Sequence, residues 1–175
     1  MDITLQSDQI RVRKITQSDI ASLLVIYQNP INMRFIPNSD GEWTAQRLKE
    51  KLKRFNADYD KGIGVFAVET WDGKLIGEAG LFDSFKKADH LELGYIIDHV
   101  HWGKGYGAAV CKALMDYGFN QLYLSKLTAR MYQGNIASVR LSQRCGMKKV
   151  NEGIANDWGF YEYEMKREDW LKLHC

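Results

Sequence analysis

Proline is almost absent from this chain, with only Pro30 and Pro37 among 175 residues. No stretch rich in proline, glycine and serine, no low-complexity run and no internal repeat breaks the sequence. A single domain over residues 1–175 is therefore expected. Cysteine is scarce too. Cys111, Cys145 and Cys175 are odd in number, far apart and without ligand-like spacing. They argue against a disulfide framework and a zinc site, and they suit a reducing compartment. No run approaches the roughly 18 apolar residues of a membrane span. Met1 to Ser7 carries Asp2 where a secretory leader has a basic start and an apolar run. An excess of one charge is also missing: the net charge is +2, so composition gives no reason to expect direct nucleic-acid binding. What is present, 45% hydrophobic and 26% charged residues, describes a soluble cytoplasmic domain with an ordinary core.

The pattern along the chain alternates strands and helices. Ile10, Val12 and Ile15 read as a first strand. Ser18-Asp19 starts a helix carrying Ile20, Leu23, Leu24 and Tyr27 on one face, and Asn29-Pro30 stops it. Thr44 caps a second helix with Leu48, Leu52 and Phe55 along one side. Three strand-like runs follow, 64–70, 74–82 and 91–98, the first two joined by a hairpin signal at Asp72-Gly73. Beyond a glycine-rich turn, Ala108, Cys111, Met115 and Phe119 recur at helical spacing. A strand over 126–132, a helix over 137–144 stopped by Gly146, two strands and a short C-terminal helix complete the order. Antiparallel hairpins followed by crossover helices predict an α/β fold: one twisted, mixed sheet of about seven strands flanked by about four helices.

The most informative segment is the turn Trp102-Gly103-Lys104-Gly105-Tyr106-Gly107-Ala108. Alternate glycines before an amphipathic helix leave bare backbone where N–H groups emerge unpaired, which favours a phosphate or pyrophosphate. The same glycines also suit a plain tight connection. A nucleotide P-loop needs Ser or Thr after its lysine, and Lys104 is followed by Gly105. Gly103, Gly105 and Ala108 fit a dinucleotide fingerprint, but the acid that should hold the ribose is missing, since Asp116 is the only acid between Ala109 and Asn151.

With Asn135-Ile136-Ala137-Ser138 downstream and Arg144-Cys145-Gly146-Met147 closing the next helix, the turn resembles the GNAT acetyltransferase superfamily. The nearest branch holds ribosomal-protein N-terminal alanine acetyltransferases and spermidine acetyltransferases. The resemblance implies acetyl-CoA as co-substrate, no metal, and an amine acceptor such as a protein N-terminus, a polyamine or another small amine, in a monomer or homodimer. It implies a bulged fourth strand, with Tyr95, Ile96 and Ile97 beside the pantetheine and thioester. It places Gly103, Lys104, Gly105, Gly107 and Ala108 around the phosphates, Trp102 where the family has Gln or Arg, and Asn135 against the cofactor arm. The tyrosine that protonates the departing thiolate in many members falls at Ser142, and a glutamate of the fifth strand falls at Arg130.

Amine acetylation needs a base, because such nitrogens have a pKa near ~10.4. Glu92 is the first candidate, lying between Leu91 and Leu93 ahead of Tyr95, and it also suits a solvent-facing strand position; Glu78 is the second. Ser138, one helical turn after Asn135, is the candidate acid and equally a capping serine; water can serve for either group. A fold that holds acetyl-CoA without turnover is the reading from another class. The acceptor stays open between two signals. Seven acids between Glu69 and Asp98 suit a polyamine, and the basic run Arg47, Lys49, Lys51, Lys53 and Arg54 suits a larger acidic partner. His90, His99 and His101 lack metal-ligand companions.

Overall fold

The computed structural model describes residues 4–37, 39–155 and 157–174; Asp2 and Cys175, read above for a leader and as a third thiol, lie outside the described residues. In chain order the elements are β1 (Thr4–Gln6), β2 (Ile10–Lys14), α1 (Ile20–Gln28), α2 (Pro30–Met33), α3 (Ala45–Phe55), β3 (Gly64–Thr70), β4 (Leu75–Lys87), β5 (His90–Ile97), α4 (Tyr106–Asn120), β6 (Lys126–Tyr132), α5 (Ile136–Arg144), β7 (Lys148–Ala155), β8 (Trp158–Lys166) and α6 (Arg167–His174). One sheet orders its strands β1-β2-β3-β4-β5-β6-β8-β7. All neighbours are antiparallel except β5 and β6, which run parallel with α4 as their crossover.

The mixed sheet is as expected, and the counts differ slightly. Eight strands and six helices are seen among the described residues, against about seven and four. The added strand is β1, whose apolar signal is Leu5 alone. Of the six helices, five are those traced along the sequence and the sixth is α2. Asn29 is extended (φ −84°, ψ 115°), so it stops α1, yet its side chain accepts the N–H of Ile31 at 2.9 Å and caps α2. Pro30 at the first position of α2 gives up only an N–H that no helix would use.

Local chemistry fixes the helix starts. Ahead of α1, Asp19 turns inward, and Oδ2 accepts the Thr16 N–H at 2.7 Å. Both Asp19 carboxylate oxygens also accept from the Arg13 guanidinium, at 2.8 and 2.9 Å. Burial opposes the charge on Asp19, but those hydrogen bonds hold its carboxyl below the usual range. At α3, the Arg47 N–H donates to Thr44 Oγ1 at 3.2 Å, the expected cap.

Strand alternation divides the core between two faces. Leu91, Leu93 and Ile97 face one core with Val110 and Leu114 of α4. Ile96 faces the other, with Leu23 and Tyr27 of α1, Met33 of α2 and Leu48 of α3. The basic run of α3 is solvated at Lys49, Lys53 and Arg54. Lys51 turns inward instead, and its ammonium pairs with Glu78 across the α1 face. No helix among the described residues is long and apolar enough to cross a membrane.

Candidate active site

The sheet opens in its middle. Among the described residues β5 pairs with β6 only at His90–Lys126, Leu91–Leu127 and Glu92–Thr128, after which the parallel strands separate. The register of β5 with β4 meanwhile continues without a break from Glu92 to Ile97. The expected strand is thus the fifth, and its free edge comes from this divergence: the bulge is not seen. The Asp98 N–H donates to Ile76 O at 2.9 Å, so even-numbered residues of β5 bond β4. By alternation, the N–H and C=O groups of Tyr95 and Ile97 point into the gap. One of them is taken: the Trp102 indole N–H donates to Ile97 O at 2.7 Å.

After β5 the chain is fastened to α2. Asn32 Nδ2 donates to Asp98 Oδ1 at 3.1 Å, and the His99 N–H donates to Asn32 Oδ1 at 2.7 Å. The turn then uses left-handed backbone at Gly103 (φ 76°) and Gly105 (φ 87°), where a side chain would be strained. Ala109 is the first residue of α4 whose N–H reaches a helical acceptor, Gly105 O at 3.1 Å. The preceding N–H groups of Tyr106, Gly107 and Ala108 project from the helix start. Gly107 allows close packing, since a Cβ there would lie 3.1 Å from Leu141 of α5. Lys104 is exposed beside these groups.

Helix α5 forms the opposite wall. Asn135 Oδ1 accepts the Ser138 N–H at 3.2 Å and caps the helix. Ser138 Oγ lies 3.2 Å from the Tyr95 hydroxyl. Burial, then the neighbouring Cys111 thiol, pushes the Tyr95 phenol above its ordinary value, so it stays protonated. Ser142 lies one turn further and is buried.

These elements enclose a cleft of about 370 Å³. Of the residues singled out from sequence, Tyr95, Ile96, Ile97, Trp102, Gly103, Gly105, Gly107, Ala108, Asn135 and Ser138 line it; Lys104, Glu92 and Glu78 do not. Glu92 lies five residues back from Ile97, about 17 Å at the rise of an extended strand. That is beyond hydrogen-bond reach of an amine attacking near Ile97. Glu78 stands opposite Ile96 on β4, but its Oε1 accepts from the Tyr27 hydroxyl and from Lys51, while Oε2 is buried without a partner among the described residues. Burial, then the charge of Glu78, pushes the Tyr27 phenol well above its ordinary value. Arg130 is spent on Glu162, at 2.6 Å.

Sequence reading missed Ile31, Arg34, Phe35 and Ile36, which line the end of the cleft nearest α2. Their only signal was position between two helices, because the contact that brings them to β5 is the long-range bonding of Asn32. A wider and more open hollow of about 500 Å³ lies by Lys126, Arg167 and Leu171. Two of its cations are committed, Lys126 to Glu164 at 2.8 Å and Arg167 to Phe119 O at 2.9 Å. Among the described residues, no group of three or more His, Cys, Asp and Glu could hold a metal ion.

Comparison with known proteins agrees with this geometry. Residues 9–148 match the family described as an acetyltransferase (GNAT) domain. The uncharacterized N-acetyltransferase YoaA of Bacillus subtilis (strain 168) is 30% identical over 156 residues, covering 88% of this chain and 86% of the relative. YkkB of the same organism is 29% identical over 162 residues, covering 86% and 92%. Among solved structures, spermidine N-acetyltransferase from Vibrio cholerae in complex with CoA and spermine superposes with a TM-score of 0.81 at 21% identity, covering 94% of this chain and 99% of that one. A GNAT acetyltransferase from Bacillus anthracis also gives 0.81 at 20% identity, covering 95% and 99%.

Proposed function

The chain belongs to the GNAT acetyltransferase family, and on that premise we propose that it transfers the acetyl group of acetyl-CoA to a primary amine. The observation that carries the reading is the meeting of two sets of backbone donors on one cleft. The N–H groups of Tyr106, Gly107 and Ala108 suit a diphosphate, and the free edge of β5 at Tyr95 and Ile97 suits the amides of a pantetheine arm. Gly103 and Gly105 give the backbone close approach, Lys104 adds positive charge, and Asn135 and Trp102 border the arm.

Bound acetyl-CoA supplies an activated thioester. With its carbonyl near Ile97, the Ile97 N–H stabilises the oxyanion that develops as the amine attacks. Ser138, 3.2 Å from the protonated Tyr95 hydroxyl, is the group we assign to donate to the departing sulfur. Among the described residues no Asp or Glu lines the cleft, and we assign removal of the amine proton to water. The thiols of Cys111 and Cys145 are free, which supports a cytoplasmic setting.

The buried Ser142 and the lack of acids among the described lining residues favour a second reading, a protein that holds acetyl-CoA without turnover. The test follows free thiol release from acetyl-CoA on a mixed amine panel. Amine-dependent release supports the enzyme; tight binding with no release on any amine supports the second reading.

A further inference from the structure

Resting on the acetyltransferase reading, we infer that the preferred acceptor carries an anionic group close to its reacting nitrogen, paired with Arg34.

Arg34 lines the α2 end of the same cleft as Tyr95, Ile96 and Ile97. It is solvent-exposed, and its guanidinium lies 4.7 Å from the Phe35 ring and 5.6 Å from the Trp102 ring. Among the described residues no carboxylate pairs with it. Contact with two aromatic rings orients the guanidinium while leaving its charge uncompensated. The nearby acids are engaged elsewhere. Asp98 accepts from Asn32 and faces His99, and Glu78 accepts from Tyr27 and Lys51.

Among the described residues the lining contains two arginines, Arg34 and Arg144, and no Asp or Glu. A polyamine would bring further ammonium groups against that lining, with like-charge repulsion and no carboxylate to offset lost hydration. An amine with a carboxylate a few bonds away reverses the sign. Its carboxylate meets the guanidinium in a charge-assisted, two-pronged pair, while Ile31, Phe35 and Ile36 cover the apolar link between the two groups. Arg144 does not compete for this role. It ends α5, one turn beyond the Leu141 that packs at Gly107, on the phosphate side of the cleft.

The chemistry can come from a small amino acid or from a peptide N-terminus with an acidic side chain next to it. The test compares alanine with alaninamide, Ala-Glu-amide with Ala-Gln-amide, and spermidine, by thiol release and product mass. One pair should favour its anionic member roughly 10- to 100-fold in kcat/KM, the range for a hydrogen bond to a charged group. The pair that discriminates identifies the source. Arg34→Gln should remove the preference and Arg34→Lys keep part of it, with acetyl-CoA affinity by calorimetry as in the parent. Spermidine leading, no discrimination in either pair, or Arg34→Gln weakening acetyl-CoA while the preference survives would each overturn the inference. Failure of the parent to bind acetyl-CoA would instead remove the acetyltransferase reading, and this one with it. Should acetyl-CoA bind without transfer, calorimetry of the same pairs on the CoA complex decides: a preference abolished by Arg34→Gln supports the assignment, and equal affinities end it.

Discussion

Trp102 donates its indole N–H to the carbonyl oxygen of Ile97 at 2.7 Å, tying the glycine turn to the last residue of β5. The bond occupies one polar group at the free strand edge and leaves the Ile97 N–H as the donor there. Trp102→Phe keeps an aromatic ring for Arg34 and removes the N–H. Acetyl-CoA affinity should fall about 5- to 10-fold, the worth of one neutral hydrogen bond. The melting temperature should move little, since Trp102 is 44% exposed. Calorimetry showing an unchanged Kd would deny the bond a positioning role.

Gly105 stands at φ 87° as the N-cap of α4. Gly105→Val puts a branched side chain in left-handed backbone, at a strain of about 1–2 kcal/mol, and covers the N–H groups of the first turn. Circular dichroism should show the fold intact. CoA affinity should drop at least about 100-fold, because several charge-assisted bonds are lost together.

Ser138 and Tyr95 act as a unit if they serve the departing sulfur. Ser138→Ala and Tyr95→Phe should each lower kcat about 100-fold, as expected for a positioned proton donor. The double variant should lose little more than either alone. Losses that simply add would separate the two residues.

The carboxylates divide by position. Glu92→Gln should leave kcat/KM near the parent value, because Glu92 lies outside the cleft. Glu78→Gln should instead destabilise the fold by roughly 3 kcal/mol, the cost of leaving a part-buried Lys51 without its partner. A large loss of rate with Glu92→Gln at unchanged acetyl-CoA affinity would restore it as the base.

Stability should fall as the medium is acidified below neutrality. His90 and His101 are buried, and both are held below the ordinary imidazole value. Burial is the main cause for each. Lys126 and Lys87 add to it at His90, and Lys74 and Lys104 at His101; Glu164 and Asp89 partly oppose the shift at His90, as do Asp98 and Asp72 at His101. Unfolded imidazoles take up protons near pH ~6.5 that the folded ones refuse, so the unfolded state binds more protons and is favoured as pH drops. Denaturant titrations stepped downward from pH 7 should show this slope beginning near that value, and His101→Gln should flatten it.

Much of this molecule was legible in its sequence. The glycine turn, the strand over 126–132, the Thr44 cap and the stop at Gly146 are local signals, and all appear where the residues put them. The glycines were legible as a turn that bares the N–H groups of a helix start, because that geometry depends only on the adjoining helix. Three features were not. A three-residue strand such as β1 has no period to detect. Asn29 serves two helices at once, so its proline looked like an ending alone. The opening between β5 and β6, and the arrival of Arg34 at its rim, depend on pairings between residues far apart in sequence. For the same reason Glu92 looked close to the chemistry: on paper it is near Tyr95, while an extended strand carries it well away.

The parting of β5 from β6 also has a mechanical meaning. Among the described residues, three rungs at one end are the only strand pairing between the β1–β5 half of the sheet and the β6–β8–β7 half, so the two halves resemble tongs riveted near His90. If the halves open and close about that rivet, a pantetheine arm lying along the Tyr95 and Ile97 amides would brace them like a temporary ninth strand. Those two amides should exchange with solvent deuterium readily in the free protein and slow markedly with CoA, giving a backbone gauge of how far the tongs are shut.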